Sequence, residues 1–314
     1  WVTRNMMKMI KRKDPTRPAF FYCSYMAPHP PLVPLQVYLD MYKDKELQEP
    51  YGDDWPDCYI LKALRYPGSQ YSKEEAIRAR KAFYAQCTQI DYEIRLLIGT
   101  LRECNLLDDT IIVFLSDHGD MLFDHNMVAK RLMYDNSARI PLIITGKPAL
   151  EYRGKGYEDK LATMSDVMPT LLDMCGISIP DHVDGFPLFS SNKREYIYGE
   201  VSNGEKATRM IRNERYKLIY YPTGNVKQLF DMVNDPHETH DLSGTDEYKP
   251  ILESMEKTLI TELYGSDLDW IKDGRLVGVE APEEFQTKPD FGLYNQRGYH
   301  WPQPKGYSNK GKNA

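Results

Sequence analysis

An acid and an imidazole stand side by side at Asp117 and His118, in the run Ser116-Asp117-His118-Gly119-Asp120, and Lys130 follows in the same segment. A carboxylate and an imidazole on adjacent residues can both reach one small, highly charged object, and a metal ion is its natural occupant. The competing reading is structural, with Asp117 capping the segment after it and His118 a satisfied polar residue at a loop mouth. Asp124 and His125 add a further acid–imidazole pair nearby. Another histidine, His29, lies in Ala27-Pro28-His29-Pro30-Pro31-Leu32, where prolines fix the backbone and present the ring rigidly. Its bland counterpart is a surface histidine in a proline-rich loop.

These residues need elements to hold them. Residues 111–115, Ile-Ile-Val-Phe-Leu, form an unbroken apolar run that predicts a strand buried on both faces of a parallel sheet. Ligands bind beyond the carboxyl ends of such strands, and Gly119 suits a close approach of chain and ligand there. Residues 19–26 read as a second such strand ending at His29, and residues 140–144 as another after Lys130. Ser72 and Glu75 have capping-box spacing, and Ile77, Tyr84, Cys87, Ile90, Ile94, Leu97, Ile98 and Leu101 recur at helical period to about Cys104. A shorter helix ends near residue 13, with Met6, Met9 and Ile10 on its apolar face. Residues 165–172 predict another helix, capped by Ser165 or Asp166 and stopped at Gly176. Residues 34–71 read as a long loop whose aromatics rim a cleft and whose Asp53-Asp54 pair is a solvated acidic turn. Asp181, His182 and Asp184 sit in a Pro/Gly turn with no strand leading in, so they are left out of the site. From about residue 194 short alternating strands predict an antiparallel sheet, at 196–201, 208–212, 216–221 and 228–231, followed by a helix over 248–264. His237 and His240 are taken as surface residues there. Residues 266–314 form a polar tail containing Trp270 and Trp301.

The 314 residues suffice for one large domain and a small one. A net charge of −6 leaves no basic footprint for nucleic acid, and no apolar run reaches the roughly 18 residues of a membrane span. The 5 cysteines are scattered and odd in number, so buried free thiols are expected rather than disulfides.

SDHGD, the following DH, Lys130 and MYDNSARIPLIITG closely resemble the second metal-binding segment of the sulfatase family, the arylsulfatase-like branch of the alkaline phosphatase superfamily. The resemblance extends through the Asp166–Leu171 helix, Asp184-Gly185-Phe186-Pro187-Leu188 and the MIRNERYKLIYY…LFDMVNDPHETHDL text. It implies an α/β fold with an alkaline-phosphatase-like, mostly parallel central sheet flanked by helices, here residues 1–192. A small antiparallel α+β subdomain, 193–265, and the tail, 266–314, follow. It implies that Asp117 and His118 bind a divalent cation, that Lys130 contacts the sulfate, and that His29 contacts substrate. Either Lys130 or His29 is then a candidate general acid. The usual metal of the family is Ca²⁺, and His118 is softer than Ca²⁺ prefers, which makes Mn²⁺ the second choice.

The family's nucleophile is a formylglycine made within Cys/Ser-x-Pro-x-Arg, and no cysteine here has that context: Cys23 is followed by Ser-Tyr-Met and Cys58 by Tyr-Ile-Leu. The family's N-terminal Asp-Asp metal ligands are also missing, so the expectation is an N-terminally truncated sulfatase whose fragment alone is inactive. The implied partner is a sulfated small molecule or sulfated carbohydrate. The alternatives are a phosphonate monoester or phosphodiester hydrolase of the same superfamily, or a non-catalytic relative that binds sulfated glycans. The resemblance favours a periplasmic or secreted location, with a cytoplasmic one open, and oligomeric state cannot be read.

Overall fold

The computed structural model describes residues 1–156 and 160–283, together with the backbone of 294–295 and 298–299. Trp301 lies outside the described residues.

The long helix expected after Ser72 is the spine of the N-terminal part. It runs over Lys73–Glu103 (here α4, after α1 Val2–Lys11, α2 Gln36–Asp40 and α3 Tyr59–Arg65). Ser72 Oγ accepts the Glu75 amide at 3.2 Å, and Glu75 returns the bond to the Ser72 amide at 2.8 Å. Two orphan donors of the first turn are thereby satisfied. The buried positions are Ala76, Arg80, Ala82, Ala85, Gln86, Thr100 and Leu101, while Ile77, Tyr84, Ile90 and Ile94 are half-buried and Cys87 is exposed. Smaller residues face inward because chain 31–48 lies close on this helix: Gln86 donates to the Pro31 carbonyl and Tyr42 meets Thr88. α1 packs on the far end of α4 through Met6, Ile10 and Leu101, but Met9 points to solvent.

β1 (Ile112–Leu115) and β2 (Leu142–Thr145) pair antiparallel, from Ile112 opposite Thr145 to Leu115 opposite Leu142. Among the described residues each pairs with no other strand. The parallel pairing and two-faced burial expected of residues 111–115 are therefore not what this chain shows: Phe114 is 38% and Ile143 52% exposed. Residues 19–26 form no strand, and Phe20 and Tyr22 are exposed. A ladder needs a partner offering backbone groups, and without one an apolar run stays unpaired. α5 (Asp135–Ala138), α6 (Lys147–Arg153) and α7 (Val167–Met174) complete this part, α7 ending before Gly176 at φ +66°. The cap of that region is Thr163 with Asp166, not Ser165.

β3 (Ile197–Val201), β4 (Thr208–Arg212), β5 (Tyr216–Tyr221) and β6 (Val226–Asp231) form an antiparallel meander in sequence order. Alternation along β5 separates two cores. Leu218 and Tyr220 face α8 (Lys249–Glu262) with Leu229, Met255 and Leu259. Ile219 and Tyr221 face the opposite way, onto Trp55, Met121, Met127 and Tyr134. The sheet is thus the wall against which the segment after Asp117 packs.

Packing on the small subdomain continues past residue 265. Trp270 and Leu276 are buried with α8 and β5, in and beside β7 (Ile271–Lys272) and β8 (Arg275–Leu276). Asp267 pairs with buried Arg209 at 2.6 and 3.1 Å. Backbone pairing of β9 (Tyr294–Asn295) with β10 (Gly298–Tyr299) follows. The cysteines are free, but Cys87 and Cys175 are exposed and the others half-buried, against the expectation of burial. No helix of the described residues is long and apolar enough to cross a membrane.

Candidate functional site

Asp117 and His118 follow directly on the carboxyl end of β1. The Asp117 side chain is 81% exposed, and its Oδ1 accepts only the amide of His118, at 3.0 Å. No helix starts there, so Asp117 is not a helix cap. His118 Nδ1 lies 2.7 Å from the Gly119 carbonyl. A carbonyl only accepts, so Nδ1 carries a proton, which makes Nε2 the ring nitrogen available to a metal. That Nε2 lies 3.5 Å from Asp117 Oδ2. One cation with bonds of about 2.0–2.5 Å can span such a pair of donors. The two residues fit a divalent cation as two of its ligands. Among the described residues no group of three His, Cys, Asp or Glu side chains comes together as a metal site.

His29 and Lys130, distant in sequence, meet: Lys130 Nζ is 2.8 Å from His29 Nε2, and His29 Nδ1 is 2.7 Å from the Pro30 carbonyl. The same reasoning places a proton on Nδ1, which leaves Nε2 to accept from Lys130 Nζ. Both residues are half-buried.

Asp120, which sequence reasoning passed over although it closes the SDHGD run, stands between the two pairs. Burial pushes its carboxyl pKa up, against the amides of Leu122 and Ala129 that it accepts and the charges of Lys130 and His118. Gly119 serves the chain rather than a ligand. A Cβ there would meet the Asn136 carbonyl oxygen at 2.0 Å, and its amide donates to the Ser137 carbonyl at 2.8 Å.

Asp124 and His125 are buried and belong to the frame. Asp124 accepts from Arg80 at 2.5 Å, from Asn136 at 2.6 Å and from the Tyr51 amide at 3.0 Å. His125 sits between Asp53 Oδ2 and the His237 carbonyl, each at 3.1 Å, beneath the Trp55 ring. Asp53 is therefore not a solvated turn residue: Arg65 and His125 hold it buried, and only Asp54 is exposed. Trp55 is likewise core, not rim. His237 and His240 are exposed, as are Asp181, His182 and Asp184.

Fully buried Lys217 donates to Glu238 at 2.7 Å, to the Met133 carbonyl at 3.1 Å and to Asp135. Arg212 also donates to Asp135, at 2.7 and 2.9 Å. Burial alone would raise the Asp135 carboxyl, but Lys217 and Arg212 more than offset this and hold it below its ordinary value. Burial keeps Glu238 above its ordinary value despite Lys217. Nothing in the sequence marks these as partners beyond their setting in the alternating strands and the turn that follows.

The family model described as Sulfatase matches residues 2–177, and that described as N-sulphoglucosamine sulphohydrolase, C-terminal, matches residues 123–264. An arylsulfatase of Clostridium perfringens is 35% identical over 295 residues, covering 88% of this chain and 60% of the relative. A choline-sulfatase of Rhizobium meliloti is 31% identical over 243 residues, 72% of this chain and 46% of that protein. A multifunctional alkaline phosphatase superfamily protein of Trinickia caryophylli is 28% identical over 308 residues, 84% of this chain and 59% of that protein. The chain thus spans about 60% or less of the length of these relatives. In structure it is similar to a phosphonate monoester hydrolase of Silicibacter pomeroyi, with TM-score 0.69 and 24% identity over 85% of this chain and 61% of that one. It is also similar to a protein solved in complex with its substrate D-glucosamine-2-N,6-O-disulfate, with TM-score 0.66 and 20% identity over 83% of this chain and 69% of that one. These likenesses make the fold α/β of the alkaline-phosphatase-like kind.

Proposed function

The chain belongs to the sulfatase family, and on that premise we propose that it carries the cation and leaving-group side of a sulfate ester hydrolase site. The observation that carries this reading is the Lys130–His29 contact at 2.8 Å, which brings together a lysine and an imidazole 101 residues apart in the chain.

Cleavage of a sulfate ester places added negative charge on the sulfuryl oxygens and on the departing oxygen. Asp117 and His118 would hold a divalent cation, Ca²⁺ by preference and Mn²⁺ second, which when bound draws charge from the sulfuryl oxygens. Lys130 would hold the sulfate by charge. Its ammonium proton already points at His29 Nε2, so the pair can pass a proton toward the departing oxygen whichever member touches it. The Nδ1–Pro30 contact keeps the ring turned with Nε2 inward through this. The formylglycine nucleophile would come from chain outside these 314 residues. Sulfated carbohydrate is the substrate class favoured by the relative solved with a glucosamine disulfate, and a small sulfate ester is the second. A periplasmic or secreted setting suits such substrates.

The test is turnover of 4-nitrophenyl sulfate and of a phenylphosphonate monoester by the longest protein that contains this chain. Faster sulfate hydrolysis, abolished by a chelator and by Lys130→Ala and His29→Ala separately, is expected. Preference for the phosphonate selects the sister activity. Sulfate turnover that survives both substitutions overturns the assignment.

A further inference from the structure

We propose that the buried Asp124–His125 pair is a positioning clamp for Lys130, an inference that rests on the sulfatase reading of that lysine. Lys130 stands on a backbone that L-residues rarely adopt. Leu122, Phe123, His125, Asn126, Ala129 and Arg131 all have φ between +44° and +74°, and none is glycine. Such conformations persist only where the surroundings over-determine them, and they gather at functional sites.

The surroundings do so here. The Met121 amide donates to the Ala129 carbonyl at 2.8 Å and the Phe123 amide to the Met127 carbonyl at 2.9 Å. These bonds close a tight double-backed loop with His125 at its tip and Lys130 one residue past its base. Asp120 accepts the Leu122 and Ala129 amides at that base. Arg80 donates to the Leu122 carbonyl at 2.8 Å while pairing with Asp124. At the tip both ring nitrogens of His125 lie 3.1 Å from acceptors, Nδ1 from the Asp53 carboxylate and Nε2 from the His237 carbonyl. His125 is 1% exposed, with the Trp55 ring centroid 4.5 Å away. Three remote pieces of chain, at Asp53, Arg80 and His237, thus grip one loop, and the position of Lys130 against His29 follows from that grip. Asp124 and His125 touch neither His29 nor Lys130 and act only through the backbone.

The experiment reads the His29 ring in protein labelled with ¹⁵N-histidine. Lys130→Ala defines the signal of Nε2 without its donor. Asp124→Asn and His125→Asn are each expected to shift Nε2 toward that signal. Arg194→Gln, which breaks the separate Asp166–Arg194 pair, is expected to leave it in place at a similar loss of melting temperature. An Nε2 signal unmoved in both clamp variants, or moved equally by Arg194→Gln, overturns the clamp. In the unsubstituted protein, the amides of Met121, Phe123, His125 and Met127 should exchange with solvent at least tenfold slower than those of residues 36–45. Exchange as fast as that loop overturns it even where the variants do not fold. Adding inorganic sulfate separates the two ideas: a His29 signal that responds to the clamp variants but not to sulfate supports the clamp and counts against the sulfatase reading of Lys130.

Discussion

Replacing Lys217 by Met removes one ammonium from a site with no access to water while keeping an apolar stem of similar length. Its two carboxylate acceptors are affected unequally. Asp135 keeps Arg212 at 2.7 and 2.9 Å, but Glu238, 2% exposed, keeps only the Asp135 amide at 2.7 Å. Breaking a buried pair from one side costs about 3–5 kcal/mol, because the abandoned charge stays desolvated. At roughly 2–4 °C per kcal/mol this lowers the melting temperature by at least about 6 °C.

The pH dependence of that loss has a definite sign. Burial already holds Glu238 above its ordinary carboxylate value, so its contribution is present at acid pH and fades as pH rises through its folded value. Without Lys217 its value rises further, and protonation relieves it. The deficit of Lys217→Met should be largest at pH 7–8 and shrink toward pH 5. Asp135, held low in the native protein, loses its own contribution as pH falls, which narrows the difference from the same side. Adding Glu238→Gln should recover about 1 kcal/mol or more, since a neutral amide needs no counter-ion. Urea titrations at pH 5, 6, 7 and 8 decide it. A deficit under about 1 kcal/mol, a flat pH profile, or a double variant no better than the single one would refute the reasoning.

Ser72→Ala removes one half of the capping box, and a urea midpoint should show a loss of about 1 kcal/mol. Gly119→Ala forces a Cβ against the Asn136 carbonyl and should cost about 1–3 kcal/mol in the same assay, with the α5 amides exchanging faster. Asp117→Asn should weaken divalent cation binding in calorimetry at least tenfold, while the melting temperature in chelator changes little because the side chain is exposed.

Elements that carry their own evidence were legible in the sequence. β3 to β6 and α8 fall within a residue or two of the ranges read from alternation and turn residues, and α4 begins at its capping box. What failed depended on partners that no local pattern names. Residues 19–26 have the composition of a strand, but no described strand pairs with them. Asp53 looked solvated because Arg65 and His125, which bury it, come from other parts of the chain. Glu238 in its polar turn gave no sign of Lys217 beneath it. At the site, adjacency made Asp117 and His118 visible as a pair, whereas the meeting of His29 and Lys130 needed the fold, and Asp120 between them was overlooked for lack of any partner in view.

The stretch from Gly265 to Leu276 changes where this protein can be cut. The C-terminal family match stops at residue 264, yet Asp267 neutralises a 3% exposed Arg209, and Trp270 and Leu276 cover the core beneath α8. A chain shortened at 264 would strip Arg209 of Asp267 and of the Trp270 ring over it, leaving only Glu200, at 3.9 Å, as a counter-ion among the described residues. Residues 265–276 therefore pack as part of the same core, and the boundary drawn by similarity falls short of them.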